Sequence, residues 1–404
     1  MPGNKLSTVA KRWLWRLPVL RTILARLDRL EFQVATLLQR LGELEKDERR
    51  HTDSGNLEAA LAIGEQWERW LELLAAINDE ELLLRVLIGY QQLVGRLAFA
   101  KEERATRFFY QVHKLGYSVL PVGYESPVPQ INAIPPWVWQ QRFDLTPGFS
   151  MDAERQWAVL ERIAPWASEL ADTPLETAEG YCWANGAFGP AEAAVYYGII
   201  REFRPSRILE VGAGYSTLVA LRGVERNGSG VVEAVDLYPR PFLRQLKGLT
   251  RLWERPVQEV PLVHFERLGQ NDVLFIDSSH VAATGSDVNF LFFQVLPRLR
   301  PGVLVHFHDI FLPWEYPEPW VKERRIFYNE QYLLLAFLMF NDAFEVLVAS
   351  RFLTMTDEDR FRKLFPFLPW IKACSFWLRR KDPNGGNAGS GWAVEAEVEG
   401  AKLR

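Results

Sequence analysis

The sequence predicts an α/β fold in which a mostly parallel sheet follows an α-helical region. From about residue 190 onward, near-continuous apolar strands alternate with helical segments, which is typical of a parallel sheet covered on both faces. The composition, 48% hydrophobic and 24% charged over 404 residues, is that of a folded globular protein. This length favours two or three domains.

The elements of the predicted sheet follow one another in a regular order. Strands are predicted at residues 207–211, 230–236, 249–254, 272–277, 303–308, 344–349 and 374–378. Helices are predicted between them at 216–226, 261–268, 287–299 and 329–340. The last two strands leave no room for a full helical crossover, so the final strand is expected to run antiparallel.

Residues 1–115 are expected to form a helical region with no recognisable chemistry. Apolar residues in 18–50 recur every three or four positions, which predicts a helix that either forms a short coiled coil or packs on the next helices. Residues 1–29 carry seven basic residues against one acidic residue. This segment is either a helix in weak contact with an anionic membrane surface or a helix packed on its own protein or on a second copy, giving a homo-oligomer.

Three further segments complete the predicted organisation. Residues 116–179 combine a proline-rich and aromatic connector, which is either a linker or a wrap around an active-site rim, with a helix over 151–170. The α/β domain is predicted over 180–381, and the tail, 382–404, is expected to be flexible by composition. The N-terminus lacks the uncharged apolar centre of a secretory signal, and no apolar run is long enough to span a membrane.

Charge and cysteine usage exclude several classes of protein. The formal charge of −4 gives no sign of the basic surface that nucleic-acid binding requires. The two cysteines, neither of them in a CxxC motif, exclude a disulfide framework and a zinc site made of thiolates. They fit a reducing compartment, so we expect a cytoplasmic protein, with peripheral contact at the inner membrane face as the alternative.

Candidate chemistry lies where the predicted strands end, because ligands of open α/β sheets bind at that edge. The first strand runs into EVGAGYS, whose glycines allow a tight turn before a helix with free amides. Thr217 replaces the third glycine of GxGxxG, which favours a nucleoside without a pyrophosphate. Asp236, which lies 22 residues after Gly214, could hold two ribose hydroxyls, and the fourth strand ends in DVLFID.

Four motifs carry a resemblance to a known family. RILEVGAGYST, DVLFIDSSH, SDVNFLFFQVLPRLRPGVLVHFHDIFLP and NEQYLLLAFL occur in that order. The sequence resembles the class I S-adenosylmethionine-dependent methyltransferases, in particular the type-24 domain related to catechol and macrolide-sugar O-methyltransferases, over roughly residues 180–380. The resemblance implies a Rossmann-like sheet with an antiparallel last strand and S-adenosylmethionine as the cofactor.

The resemblance also implies roles for individual residues in cofactor binding. The methionine end, its carboxylate, the ribose and the adenine would be held along the strand ends, and a loop before the first helix would close over the methionine. The residues are Asn185 in that loop, Glu210, Gly212 and Gly214 at the methionine, Tyr215 and Ser216 at its carboxylate, Asp236 at the ribose, Gln258 at the adenine, and Asp277.

By the same resemblance, Asp277, His308 and Asp309 would hold a divalent cation, and His280 would be the base. His308 departs from the relatives, which have an oxygen ligand there. Magnesium prefers oxygen ligands, whereas manganese, iron or zinc tolerates imidazole. His308 is therefore either a ligand or a residue behind the ligands, and the cation is expected to be Mg²⁺ or Mn²⁺.

Methyl transfer to a hydroxyl needs help to remove a proton of very high pKa, which a cation and an imidazole can supply. We therefore expect an O-methyltransferase that acts on a small molecule or sugar hydroxyl, in glycan or secondary-metabolite modification. Alternatives are a nicotinamide oxidoreductase, a metal-dependent oxygenase on the same fold, and a non-catalytic assembly module.

Several neighbouring residues have structural interpretations. His306 lies inside the fifth strand and is expected to be packed and hydrogen-bonded. Asp287 is expected to cap its helix. The loop with Trp314, Tyr316 and Trp320 follows Asp309 and is expected to cover the acceptor.

Overall fold

The computed structural model describes residues 126–145, 148–177 and 179–382. The predictions made for the N-terminal helical region, for its basic segment and for nearly all of the tail lie outside these residues. Within the described ranges, no helix is both long enough and apolar enough to cross a bilayer.

Seven strands of the described chain form one sheet, and this confirms the predicted fold class. They are β1 (Arg207–Val211), β2 (Val231–Val235), β3 (Leu249–Trp253), β4 (Val273–Ile276), β5 (Leu304–Phe307), β6 (Phe344–Ala349) and β7 (Phe376–Arg380). The order across the sheet is β3-β2-β1-β4-β5-β7-β6. As expected, β7 runs antiparallel to β5 and β6, and the pairings among β1 to β5 are parallel.

Helices cover the described sheet, and most of them lie where the sequence predicts. They are α1 (Ala153–Ala167), α2 (Pro190–Phe203), α3 (Tyr215–Asn227), α4 (Val263–Glu266), α5 (Asp287–Phe290), α6 (Glu318–Lys322), α7 (Glu330–Leu338), α8 (Ser350–Thr356) and α9 (Glu358–Leu364). Short 3₁₀ turns also occur, for example at Ile131–Ala133 and Pro136–Gln140.

One helix prediction needs correction. The helix predicted over 287–299 is α5 followed by a π turn at Leu291–Val295 and a 3₁₀ turn at Leu296–Arg298. Pro297 has no N–H to donate, so a regular helix cannot continue through it. As expected, no helical crossover connects the last two strands, since β7 pairs antiparallel with β6, although the short helices α8 and α9, which were not predicted, lie between them.

The core extends on the N-terminal side beyond the predicted domain start at 180. Trp157, Leu160 and Ile163 of α1 are buried in the same apolar cluster as the central strands. α1 approaches α2 closely at Gly198, where a Cβ would lie 2.9 Å from the Cβ of Ile163. The described α/β unit therefore includes α1.

Three residues at the carboxyl edge of the sheet have left-handed backbone conformations. Gly212, His280 and Asp309 follow β1, β4 and β5, and their φ angles are +84°, +59° and +55°. A left-handed conformation costs a residue with a side chain about 1 kcal/mol. Other described residues, such as Arg204 and Asn271, share this conformation away from this edge, so the backbone alone does not single the edge out.

Candidate active site

The turn between β1 and α3 contains two glycines whose surroundings differ. A Cβ on Gly212 would lie 1.8 Å from the carbonyl oxygen of Asp277, so only glycine fits there. Gly214 has an extended backbone, and the nearest atom to a Cβ on it would be Arg240 Nε at 3.8 Å. Gly212 therefore lets the ends of β1 and β4 approach each other, whereas Gly214 leaves open space beside the start of α3.

Glu210 is fully buried at the end of β1. Tyr196 donates its hydroxyl to Glu210 Oε1 at 3.0 Å, and the Thr217 hydroxyl donates to Oε2. Burial raises the pKa of Glu210 to about 7, although these hydrogen bonds act in the opposite direction. Thr217, which replaces the third glycine of the motif, also accepts a hydrogen bond from the Gly214 amide at 3.1 Å.

The structure places Asp236 beside the same turn. Its Oδ2 accepts a hydrogen bond from the Ala213 amide at 3.0 Å, and its Oδ1 accepts one from the Tyr238 amide at 2.8 Å. Two backbone donors thus fix this half-buried carboxylate at the end of β2. Tyr215 begins α3 beneath the Arg240 guanidinium, 5.3 Å from the ring centre, and Ser216 is buried.

Gln258 and Asn185 have side chains that are already engaged. Gln258 is exposed, and its Nε2 donates to the Gly285 carbonyl at 2.8 Å. Asn185 Nδ2 donates to the carbonyls of Cys182 and Phe188, and its Oδ1 accepts from the Ala187 and Phe188 amides. Asn185 therefore holds its own loop together, and cofactor contact by either residue stays a prediction.

A dense group of ionisable side chains lies at the ends of β4 and β5. We call it the acid–histidine cluster, and it consists of Glu192, Asp277, His280, His308, Asp309, Glu330 and Cys374. It contains all three predicted metal ligands and the predicted base. The structure thus brings together residues that are far apart in the chain.

His280 is held from both sides within this cluster. Its Nδ1–H donates to Glu330 Oε2 at 2.8 Å, and Nε2 lies 3.1 Å from Asp277 Oδ1 and 3.8 Å from Asp309 Oδ2. Burial lowers the pKa of His280, but Asp277 and Glu330 outweigh it and raise the pKa to about 10. This pKa would fall once a cation engages the two aspartates, because their charge would then be shared with the cation.

His308 lies between two groups of carboxylates. Nδ1 is 3.5 Å from Asp277 Oδ1 and 3.5 Å from Asp309 Oδ1, and Nε2 is 3.3 Å from Glu192 Oε1. Although burial lowers its pKa, these carboxylates raise the pKa of His308 well above its ordinary value. In turn, His308 holds the pKa of Asp277 and Asp309 below their usual range, against the effect of burial.

The charges of the cluster fit a divalent cation. Its four carboxyls outnumber its two imidazoles, so an excess of negative charge remains with both imidazoles protonated even though burial raises the pKa of Glu330. Uncompensated buried charge is strongly unfavourable. Asp277 and Asp309 offer the oxygen donors that Mg²⁺ or Mn²⁺ prefers. These two residues therefore fit a cation at the edge of the sheet.

Sequence reasoning missed Glu192, Glu330 and Cys374. Glu192 stands two residues after Pro190 and accepts the Gly189 amide at 2.8 Å, so its sequence signal is that of a helix cap. Glu330 is the first residue of α7, and Cys374 precedes β7. Because each lies far in sequence from His280 and His308, a single sequence offers no signal that joins them.

The other site interpretations have mixed outcomes. His306 is fully buried, and its Nε2 lies 3.0 Å from Ser375 Oγ, which confirms that it belongs to the core. Asp287 is not the helix cap, because the Ser286 hydroxyl accepts the Asn289 amide. Asp287 instead accepts from the amide of Ser279 at 2.9 Å and also from its hydroxyl.

An aromatic wall stands beside His280. The Tyr328 ring centre lies 4.5 Å from that of His280, and Tyr328 packs edge-on against Tyr316 and Trp320. The buried cluster around Tyr316 also includes part of the proline-rich connector, since Trp139 packs against it. Of the two interpretations of that connector, the one that wraps it around the site is favoured.

Comparison with known proteins identifies the family. A family model described as a methyltransferase domain of type 24 matches residues 209–310. An uncharacterised protein of Archaeoglobus fulgidus is 31% identical over 170 residues, which are 38% of this chain and 75% of that protein.

Two solved structures are more distant. The S-adenosylhomocysteine-bound methyltransferase PaMTH1 of Podospora anserina is 17% identical, with 66% of this chain and 100% of that chain covered and a TM-score of 0.34. The O-methyltransferase TomG of Streptomyces achromogenes, solved with S-adenosylmethionine, is 15% identical, with 58% and 92% covered and a TM-score of 0.30. The match to the family model shows that this chain carries a methyltransferase domain of the class I S-adenosylmethionine-dependent type.

Proposed function

We propose that this methyltransferase transfers its methyl group to a hydroxyl of a small molecule or sugar, with His280 as the base. The observation that carries the proposal is the placement of His280 Nε2 between Asp277 and Asp309, with Glu330 fixing the opposite ring nitrogen. This arrangement lies on the same edge of the sheet as Gly212, Glu210 and Asp236, which would hold the cofactor.

In the proposed reaction, the acceptor oxygen attacks the methyl carbon of the sulfonium. A carbon–oxygen bond forms, the carbon–sulfur bond breaks, and its electron pair stays on sulfur. The hydroxyl proton passes to Nε2 of His280. The imidazole must be neutral to accept it, so His280 must first lose the proton that the surrounding carboxylates stabilise. A divalent cation held by Asp277 and Asp309 would lower the pKa of the hydroxyl.

The side chains around His280 support an acceptor with an apolar face. Tyr328 covers the imidazole, and Tyr316 and Trp320 hold Tyr328 in place. Aromatic faces suit sugar rings and aromatic rings alike, and their burial excludes water from the reacting hydroxyl. Proximity and orientation then supply much of the remaining rate enhancement.

His280→Ala tests the proposed base. We expect it to keep S-adenosylmethionine binding, measured by calorimetry, and to lower methyl transfer to a panel of sugar and phenolic hydroxyls by about 10²–10⁴-fold. His264→Ala is the matched control, since His264 packs on Trp253 of β3 instead. Unchanged turnover in His280→Ala would refute the base role. Full activity in EDTA would show that the reaction needs no divalent cation at Asp309.

A further inference from the structure

A second set of possible metal donors lies on the inner side of His308. Glu192, His308 and Cys374 each offer a ligand atom within 4.8 Å of the others. Glu192 Oε1 is 3.3 Å from His308 Nε2 and 2.8 Å from Cys374 Sγ. The three residues come from the first turn of α2, the end of β5 and the segment before β7, so the sheet topology alone brings them together.

His308 independently indicates that these three residues bind a metal ion. Its side chain is only 6% exposed, and neither ring nitrogen makes a hydrogen bond of good geometry, although carboxylates ion-pair with both at 3.3–3.5 Å. Nδ1 faces the carboxylates of Asp277 and Asp309, while Nε2 faces Glu192. Metal-bound histidines show this arrangement, with one nitrogen on the metal and the other N–H directed at a carboxylate.

The other two donors are held in place by the backbone. Glu192 Oε2 accepts the Gly189 amide at 2.8 Å, which leaves Oε1 facing the histidine and the sulfur. The Cys374 amide donates to Glu192 Oε1 at 3.1 Å. Such contacts orient ligands before a metal arrives, so they reduce the ordering that binding requires.

We propose that Glu192, His308 Nε2 and the Cys374 thiolate form a binding site for a borderline cation such as Zn²⁺. Carboxylate, imidazole and thiolate form a donor set that zinc accepts and magnesium does not favour. On binding, the Cys374 thiol and the protonated Nε2 of His308 each release a proton to solvent, and sulfur–metal and nitrogen–metal bonds form. This single-thiolate site is not the all-thiolate zinc site that the cysteine count excludes.

The inner site lies next to the proposed cation position at the edge of the sheet but does not coincide with it. Asp309 connects the two, since its Oδ1 lies 3.1 Å from Cys374 Sγ and its Oδ2 lies 3.8 Å from His280 Nε2. His308 then becomes a ligand of the inner metal, and Asp277 and Asp309 remain for the edge cation. The inner site does not depend on the acceptor or on methyl transfer.

Cobalt substitution tests this site directly on the full chain. In excess Mg²⁺, which fills the proposed edge site, we expect metal-free protein to bind about one Co²⁺ with a thiolate-to-cobalt charge-transfer absorption. Cys374→Ser should abolish the band and weaken Zn²⁺ binding by tenfold or more. Cys182→Ser is the matched control, because Cys182 is the other cysteine and lies outside the donor set, and it should keep both properties.

A measurement on the unaltered protein covers the case in which Cys374→Ser does not fold. Zn²⁺ should protect Cys374 from alkylation, read by peptide mass spectrometry, with Cys182 as the internal reference. Absence of the cobalt band together with unprotected Cys374 would overturn the site. So would a band that survives Cys374→Ser or is lost in Cys182→Ser. Neither readout uses turnover, so failure of the proposed O-methyltransferase activity would be recognised separately.

Discussion

At the scale of single residues, the outstanding feature is that His280 has a carboxylate at each ring nitrogen. Glu330 is fully buried behind it, and the His280 carbonyl accepts the amides of Asn329 and Glu330 at 3.1 and 3.2 Å. The left-handed conformation of His280 is therefore held by the start of α7. Glu330 fixes which nitrogen faces the reacting edge, so it is a positioning residue.

Glu330→Gln tests this positioning role. The amide can still accept the Nδ1–H, but it carries no charge to stabilise the imidazolium that forms during the reaction. We expect kcat to fall about 10–100-fold with little change in the dissociation constant for S-adenosylmethionine. Glu266→Gln, on half-buried Glu266 of α4, should match the unaltered protein in both measurements. An equal loss of cofactor affinity and kcat in Glu330→Gln would indicate a structural role instead.

At the scale of elements, β1 and β4 approach each other closely at the edge of the sheet where the cofactor residues are predicted. Gly212 lies at a positive φ with the Asp277 carbonyl where its Cβ would be, while Gly214 has neither constraint. The same motif therefore combines a glycine that the fold requires with one that the fold tolerates replacing. We therefore expect replacement of Gly212 to affect mainly the stability of the fold, and replacement of Gly214 to affect mainly cofactor binding.

Gly212→Ala and Gly214→Ala make that distinction measurable. We expect Gly212→Ala to lower the free energy of unfolding by about 2–4 kcal/mol, because a backbone clash adds to the cost of the left-handed conformation. Gly214→Ala should unfold within about 0.5 kcal/mol of the unaltered protein but bind S-adenosylmethionine more weakly, since its methyl group would enter the open space beside α3. Urea unfolding and calorimetry provide the two readouts, and equal stability of the two variants would contradict the argument.

At the scale of the whole molecule, buried ionisable groups make stability depend on pH. The pKa of Glu210 is about 7 in the folded protein, against an ordinary value of 4.5. Between these values, the folded protein holds the proton more tightly than the unfolded chain does. The stabilisation from this carboxyl is therefore complete below pH 4.5 and is lost as the pH rises through 7.

Glu210→Gln should remove this part of the pH dependence. In the absence of cofactor, the unaltered protein should lose up to about 3 kcal/mol of unfolding free energy between the two pKa values, and the variant should lose correspondingly less. Glu225→Gln, on the exposed face of α3, should follow the unaltered protein. Parallel curves for all three proteins, measured by urea unfolding across that pH range, would show that Glu210 does not titrate there.

The strands and their order of appearance were predictable because their evidence is local. β1, β4 and β5 are short runs buried on both faces, so their apolar sequences alone mark them. The π turn after α5 and the paired helices before β7 were missed, since the periodicity of short segments does not distinguish them. Asp287 was assigned as a cap in place of its neighbour Ser286, within the usual uncertainty of helix ends.

The sequence by itself determined the family and the order of the strands, and it singled out His280, Asp277 and Asp309 as candidate site residues, because these residues follow strands in recognisable motifs. Only the tertiary structure decided what surrounds them. Glu192, Glu330 and Cys374 reach the cluster from three elements that are separated along the chain and joined by the strand order of the sheet. Local patterns reflect backbone periodicity and turns, whereas burial and electrostatic pairing depend on which distant segments the fold brings into contact.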